Sequence, residues 1–400
     1  MKKVWFTVLF FLSLILFAGC QAEDVVPTEP EGDFSVTVEV LSLEGEKLFS
    51  QVIRFFSDTE KNFVEILDDA IDLDYTNSEF GAFITGVAGI YPPEHGVTWN
   101  YWFSILIDGE LSWTGLDSIQ VEDQKTITFQ ISTMLDETDL WVDQVIYSFI
   151  ESRLASYINL EEMHFTVVLA LNKLKNAGYG VPSVSSLSGT SPTLLRDSIS
   201  NAYKTAVFEV ALGLNTDLTL SYLESATSSN HYEAISQLSA LTLLESTHAK
   251  VNELIAMLIV STPTYMDADY AGMVLAALSH YKEVSGVQTF MNTMILEIEE
   301  VLTLEGITSW GSANAASTAQ AILGLVSIGE NPREITQTET EAEFDLIASL
   351  KIYEVTAGFK YTSSDLNPDL AFSTPQGFAA LVVYKLYRDT WGNPPIDLHR

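Results

Sequence analysis

The sequence predicts a multidomain chain: a small α+β domain rich in strands, followed by an all-α ring of helix hairpins. Three observations predict it. A short apolar phrase recurs in the C-terminal half, as Asp269-Tyr-Ala-Gly-Met-Val-Leu-Ala-Ala-Leu278, Ala316-Ser-Thr-Ala-Gln-Ala-Ile-Leu-Gly-Leu325 and Phe372-Ser-Thr-Pro-Gln-Gly-Phe-Ala-Ala-Leu381. The closing leucines lie 47 and 56 residues apart, room for two helices and their connections, so each phrase marks one hairpin. Before residue 134 the pattern is alternation, apolar and polar by turns; from Asp139 onward amphipathic stretches follow one another with short Gly, Pro, Asn or Ser breaks. The small residues of the phrases, Ala276, Ala277, Gly324, Ala379 and Ala380, let helices approach closely, as an inner ring requires.

Residues 1–20 read as an export leader. Met1-Lys2-Lys3 is basic, Val4–Phe17 is apolar but shorter than the roughly 20 residues of a bilayer span, and Leu16-Phe17-Ala18-Gly19-Cys20 ends it with small residues before a lone cysteine. That ending resembles the lipobox of exported bacterial lipoproteins, which implies cleavage before Cys20, its lipidation, and a place on the extracytoplasmic face of the cell membrane. The weighed alternative is an uncleaved membrane anchor. Cys20 is the sole cysteine, so the exported domains hold no internal disulfide and no thiolate for zinc or nucleophilic chemistry. The formal charge of −35, −37 without the leader, argues against nucleic acid as a partner, because like charges repel.

Residues 21–33 form an acidic, Pro-rich tether with too little apolar surface to fold. The β-rich domain spans 34–133. Phe34, Val36, Val38 and Val40 share one face of a strand; Val64–Ala70 is a short helix; Trp99–Ile107 and Thr126–Ile131 are further strands, and Asp108-Gly109 is a hairpin turn because it tolerates positive φ. The helical domain spans 139–390, with roughly eleven helices. Ser191-Pro192 and Ser373-Thr374-Pro375 read as helix starts, Ser as cap and Pro at the first helical position, while Asn331-Pro332 and Asn393-Pro394 read as turns.

The three phrases look like the α/α toroid of the prenyltransferase and terpenoid-cyclase superfamily, over about residues 160–388. More closely, they resemble its bacterial surface-protein branch and the cobalamin carriers intrinsic factor and transcobalamin. Tyr101-Trp-Phe-Ser-Ile-Leu-Ile-Asp-Gly109, Gly115 and Ile119–Phe129 resemble the β domain of those carriers, here placed before the toroid instead of after it. The resemblance implies a binding protein that holds a bulky ligand, cobalamin-like in the carriers, between toroid and β domain, with no resident cofactor. It also implies that the rim of helix starts faces the ligand.

The residues themselves argue against catalysis. Asp267-Ala-Asp269 lacks the further adjacent carboxylates a cyclase uses to hold a strong acid, and a zinc-dependent prenyltransferase or a thioester protein needs cysteines this chain lacks. His95, His164, His231, His248, His280 and His399 form no i, i+4 pair, and no Gly-x-Ser-x-Gly elbow occurs. His280, His231 and His95 are candidate axial ligands only if a corrinoid cobalt is bound. Asp68, Asp69, Asp72 and Asp74 lack the order of an EF-type loop and read as a solvated acidic helix end. The expected ligand-binding residues are Asp269, Tyr270, Trp310, Ser317, Gln320, Thr374 and Gln376 in the helical domain and Trp99, Tyr101 and Trp102 in the strand region, with no metal ligands and no catalytic group. Core packing is the rival role for the aromatics, and capping for Ser317, Ser373 and Thr374; the paired Gln320 and Gln376 fit capping less well. Two other functions stay open: an adhesion protein whose aromatic rim grips a protein or glycan, and an extracellular glycan-active enzyme on an α/α barrel.

Overall fold

The computed structural model describes residues 32–78, 81–120, 122–158, 163–187, 192–261, 266–337, 340–356 and 358–400. The expected leader, Cys20 and nearly all of the tether lie outside them. The described residues form two compact units, one reaching to His95 and including Tyr101–Met134, the other made of Gly96–Asn100 and Leu135–Arg400.

The first unit is β-rich. Its elements are β1 (Phe34–Leu41), β2 (Lys47–Phe55), α1 (Phe63–Ile71), β3 (Leu73–Ser78), β4 (Gly81–Val87), β5 (Tyr101–Ile107), β6 (Glu110–Leu111) and β7 (Lys125–Thr133). Five strands make one sheet, ordered β2-β1-β7-β5-β6. β1 runs antiparallel to β2 and parallel to β7, so Val38 sits opposite Gln51 on one side and Ile127 on the other. The alternation of β1 turns Val36, Val38 and Val40 into a core shared with Leu67 of α1 and with Phe103 and Phe129. The hairpin at Asp108-Gly109 has positive φ at both residues, 49° and 84°. α1 starts with a reciprocal cap, Asn62 accepting from the Glu65 amide while Glu65 accepts from that of Asn62. The ribbon β3–β4 is a separate antiparallel pair.

In the second unit, helices of six residues or more number eleven among the described residues. They are α2 (Glu137–Ser152), α3 (Phe165–Asn176), α4 (Ile199–Leu212), α5 (Asp217–Ser225), α6 (His231–Leu243), α7 (Ala249–Val260), α8 (Ala268–Leu278), α9 (Val287–Glu300), α10 (Ala315–Ile328), α11 (Leu346–Lys351) and α12 (Ser373–Asp389). Six of them touch in a cycle: α3 packs on α4, α4 on α6, α6 on α8, α8 on α10, α10 on α12, and α12 back on α3. The others lean on single members or neighbouring pairs of that cycle, α5 on α4 and α6, α7 on α6, α9 on α8, α11 on α10 and α2 on α12. The three repeat phrases are α8, α10 and α12.

The small residues act as expected where α8 meets α10. A Cβ on Gly272 would fall on the backbone carbonyl of Gln320, and one on Gly324 would come within 2.6 Å of the Gly272 carbonyl oxygen. The two backbones touch there, which only glycine on both sides allows.

Several expectations change. Pro192 does not begin a helix; Ser191 lies outside the described residues, and α4 starts at Ile199 with Ser198 as its cap. α12 begins at Ser373, but its start is held by Asp369, whose carboxylate accepts from the amides of Ala371, Phe372 and Ser373; Pro375 is the third helical residue, not the first. Trp99 precedes the strand it was expected to open, since β5 begins at Tyr101. Short two-stranded ribbons, such as Leu302–Thr303 with Gly306–Ser309, interrupt the helices. They are too short for alternation to register.

Candidate functional site

The site follows from a tetrapeptide that the repeat places twice, Ser317-Thr318-Ala319-Gln320 in α10 and Ser373-Thr374-Pro375-Gln376 in α12. Both threonines are fully buried and hold the ribbon before their helix. Thr318 Oγ1 accepts from the Ile307 amide at 3.0 Å, and Thr374 Oγ1 accepts from the Phe359 amide at 2.9 Å. A glycine of positive φ packs over each, Gly306 (97°) over Thr318 and Gly358 (135°) over Thr374, where any Cβ would strike the threonine. Thr374 therefore packs as a structural lock instead of reaching a ligand. Two residues on is about 200° around a helix, so the glutamines point the other way. Gln320 and Gln376 line one cavity.

That cavity has a volume of about 250 Å³ and lies inside the helix cycle, with walls from all six of its members. Its apolar lining includes Phe165, Leu169, Ile235 and Met273; its polar lining includes Ser200, Ser239, Tyr203 and Lys204. A second cavity of about 180 Å³ is walled by the later halves of α3, α4 and α6, including Lys173 and Val207. Leu398 and His399 line both. The segment after α12 thus stands in the wall between the two cavities.

Asp397 anchors this segment. Its carboxylate accepts from His280 Nε2 at 2.9 Å and from His399 Nδ1 at 3.1 Å, and the His399 Nε2 lies 2.6 Å from the Tyr203 hydroxyl. Burial works to raise the Asp397 carboxyl, but His399 and His280 outweigh it and hold the group well below the usual carboxylate range. Burial pushes the Lys173 ammonium down, with Asp397 opposing, and pushes the Tyr203 hydroxyl far up.

The remaining expected residues fall in other places. Asp269, Trp310 and Ser317 come together at the starts of α8 and α10, where Trp310 Nε1 donates to Asp269 Oδ2 at 3.1 Å. Trp310 takes φ 55° and is 73 % exposed, whereas Ser317 is buried. Burial raises the Asp269 carboxyl, opposed by the Ser317 and Trp310 side chains. Tyr270 is wholly buried, edge-on to Tyr232 and His231, and burial lifts its hydroxyl to about 12. That hydroxyl and the Ser309 Oγ are buried without a hydrogen-bond partner among the described residues. In the strand region Tyr101 is buried, Trp102 half-buried and Trp99 72 % exposed. Of the axial-ligand candidates, His280 is engaged by Asp397, His231 Nε2 by the Ser261 carbonyl at 2.8 Å, and the His95 ring stacks on Tyr91. Among the described residues no group of three His, Cys, Asp or Glu is placed to hold a metal ion.

Sequence reasoning missed the central Asp397 and His399, which lie past the last helix in what reads as a tail. It also missed a buried charge cluster. Lys385 Nζ lies 2.9 Å from Asp143 Oδ1 and 3.0 Å from Asp389 Oδ2, and Arg388 reaches the same carboxylates at 2.8 and 2.7 Å. Asn100 donates to Asp389 at 2.7 Å, which joins Gly96–Asn100 to the helical unit. The signal was Lys385 inside the apolar run Leu381–Leu386, with Asp389 four residues on, the spacing that puts both on one face.

Residues 60–133 match the family described as "Domain of unknown function (DUF4430)". A solved structure from Ruminococcus gnavus, named "putative metal binding protein", is similar at 23 % identity over 26 % of this chain and 100 % of that chain, with a TM-score of 0.22. No curated protein matches the chain.

Proposed function

We propose that this protein is a non-catalytic binding protein, anchored by lipid on Cys20 at the extracytoplasmic face, whose helical unit is an α/α toroid that receives a ligand at its centre. The observation that supports this reading is the convergence of Gln320 and Gln376 on one cavity while their neighbouring threonines hold the backbone. The closed cycle of six helices supports the toroid. At about 250 Å³ the cavity lies just below the range of roughly 300–1,000 Å³ that encloses a drug-sized molecule, so it takes a small ligand or one limb of a bulky one. A cobalamin-like corrinoid, rimmed with amide side arms, is the bulky candidate that two carboxamides lining one cavity suit.

The test is equilibrium binding of cobalamin, cobinamide and haem to the delipidated protein. The double variant Gln320→Leu/Gln376→Leu is expected to weaken binding at least about tenfold, one lost polar contact of roughly 1.4 kcal/mol or more, with the thermal midpoint unchanged. Thr374→Val is expected to do the opposite, leaving affinity intact and lowering stability by about 1–3 kcal/mol, the usual cost of orphaning a buried amide. Absence of saturable binding removes the corrinoid version, and turnover of any captured compound removes the non-catalytic reading.

A second reading, adhesion, has its own observation. Trp310, Leu366, Leu370 and Phe372, in the turns leading into α10 and α12, are 50–90 % exposed, and exposed apolar side chains of that size mark contact surfaces. Trp310→Ser/Phe372→Ser is expected to abolish surface attachment under this reading and to leave ligand binding untouched.

A further inference from the structure

The chain holds 19 Lys and Arg and 6 His against 54 Asp and Glu, so basic groups are scarce. Two such groups face the centre of the helix cycle. Lys173 lines one cavity and Lys204 the other, and neither makes an ion pair among the described residues. Between them lies Asp397, buried, with His280 and His399 on its two oxygens. Arg400 lines the cavity of Lys173, where the exposed Glu245 is the one other carboxylate. The cavities of this acidic protein therefore carry the half-buried Lys173 and the exposed Lys204 near one buried carboxylate, and that carboxylate is carried by a segment in irregular conformation, not by any helix of the cycle. Leu398, next to it, fills the apolar space beside Leu169.

We propose that the centre of the helix cycle is a binding site for a small amphipathic carboxylate, and that residues 396–399 occupy it as an internal stand-in. Asp397 holds the place of the ligand's carboxylate between His280 and the lysines, and Leu398 that of its apolar tail. The inference rests on the reading that this cavity receives a ligand, and it names the chemistry of the group that enters. Charge matching selects a carboxylate: Asp397 accepts from His280 and His399 and favours the Lys173 ammonium, and another anion can take over both roles, while an alcohol of equal length takes over neither.

The experiment is calorimetric titration of the full chain with octanoate and, as the neutral match, with 1-octanol. In Asp397→Ala the octanoate affinity is expected to rise at least about tenfold over the unaltered protein, with octanol little changed, and His280→Gln in the same background is expected to cancel the gain. Should Asp397→Ala fold poorly, Asp397→Ser removes the charge and vacates most of the place, and a gain in the same direction is expected; a thermal midpoint raised by octanoate but not by octanol serves as the second readout. Equal gains for both ligands, or no gain for octanoate, overturn the carboxylate assignment and leave the cavity reading standing. Failure of both ligands to bind any variant overturns this assignment too, while the cavity reading is decided separately by the corrinoid titration and its Gln320→Leu/Gln376→Leu variant.

Discussion

The two units bury different kinds of side chain. In the β-rich unit the buried residues are almost all apolar, with Thr128 the one polar side chain among those described. The helical unit buries Asp143, Glu209, Gln237, Lys385, Asp397 and His399 in addition to its apolar core. A core of Val, Ile, Leu and Phe is held by area removed from water and tolerates repacking. A core that holds ionised groups is held by specific partners, and each becomes a liability when its partner goes. The contrast locates chemistry: a site that discriminates polar ligands needs desolvated polar groups, and among the described residues the buried charged ones belong to the helical unit.

Lys385→Met sharpens the contrast most. It leaves Asp143 and Asp389 buried with Arg388 alone to compensate, and a loss of about 3–5 kcal/mol is expected. Urea unfolding followed by tryptophan fluorescence and by far-ultraviolet dichroism measures it. A neutral outcome would show that the charges are held no more specifically than an apolar core. Gly272→Ala comes next, at about 1–3 kcal/mol, because the added methyl meets the Gln320 carbonyl with no flexible side chain to yield. A fully tolerated alanine would show that α8 and α10 are not in backbone contact.

The smallest expected effect is a pH dependence in the helical unit alone. Burial lowers the His164 imidazole below its ordinary 6.5, with the Ala371 backbone opposing and Lys204 adding to the fall. Between the folded and unfolded values the unfolded chain binds the extra proton, so the contribution is complete above pH 6.5 and is lost as pH falls toward the folded value. Denaturation at pH 7.5 and 5.5 is expected to show a decline that His164→Gln reduces. An unchanged slope in that variant would assign the decline to other groups.

Much of the architecture was legible locally. Alternation marked β1, β5 and β7, Asp108-Gly109 marked the hairpin, and the repeat phrase marked α8, α10 and α12 together with the glycines on which two of them meet. The Ser191-Pro192 signal failed because a cap and a proline are permissive, and the apolar stripe that begins a helix there starts only at Ile199. Of the candidate site, Gln320 and Gln376 were singled out by their shared repeat position, and both line the same cavity. The bond of Thr374 to the Phe359 amide was not legible, because that amide belongs to a ribbon too short to read.

By itself the sequence determined the longer strands and helices, that the helical stretches repeat, and where small residues let helices come close, because each depends on a few neighbouring residues and their period. Only the tertiary structure decided which charges are paired inside and what lies at the centre. Asp143 and Lys385 meet across 242 positions, and Asp397 meets His280 across 117. No local period records such pairings, since burying a charge depends on a partner brought to it by the closing of the helix cycle.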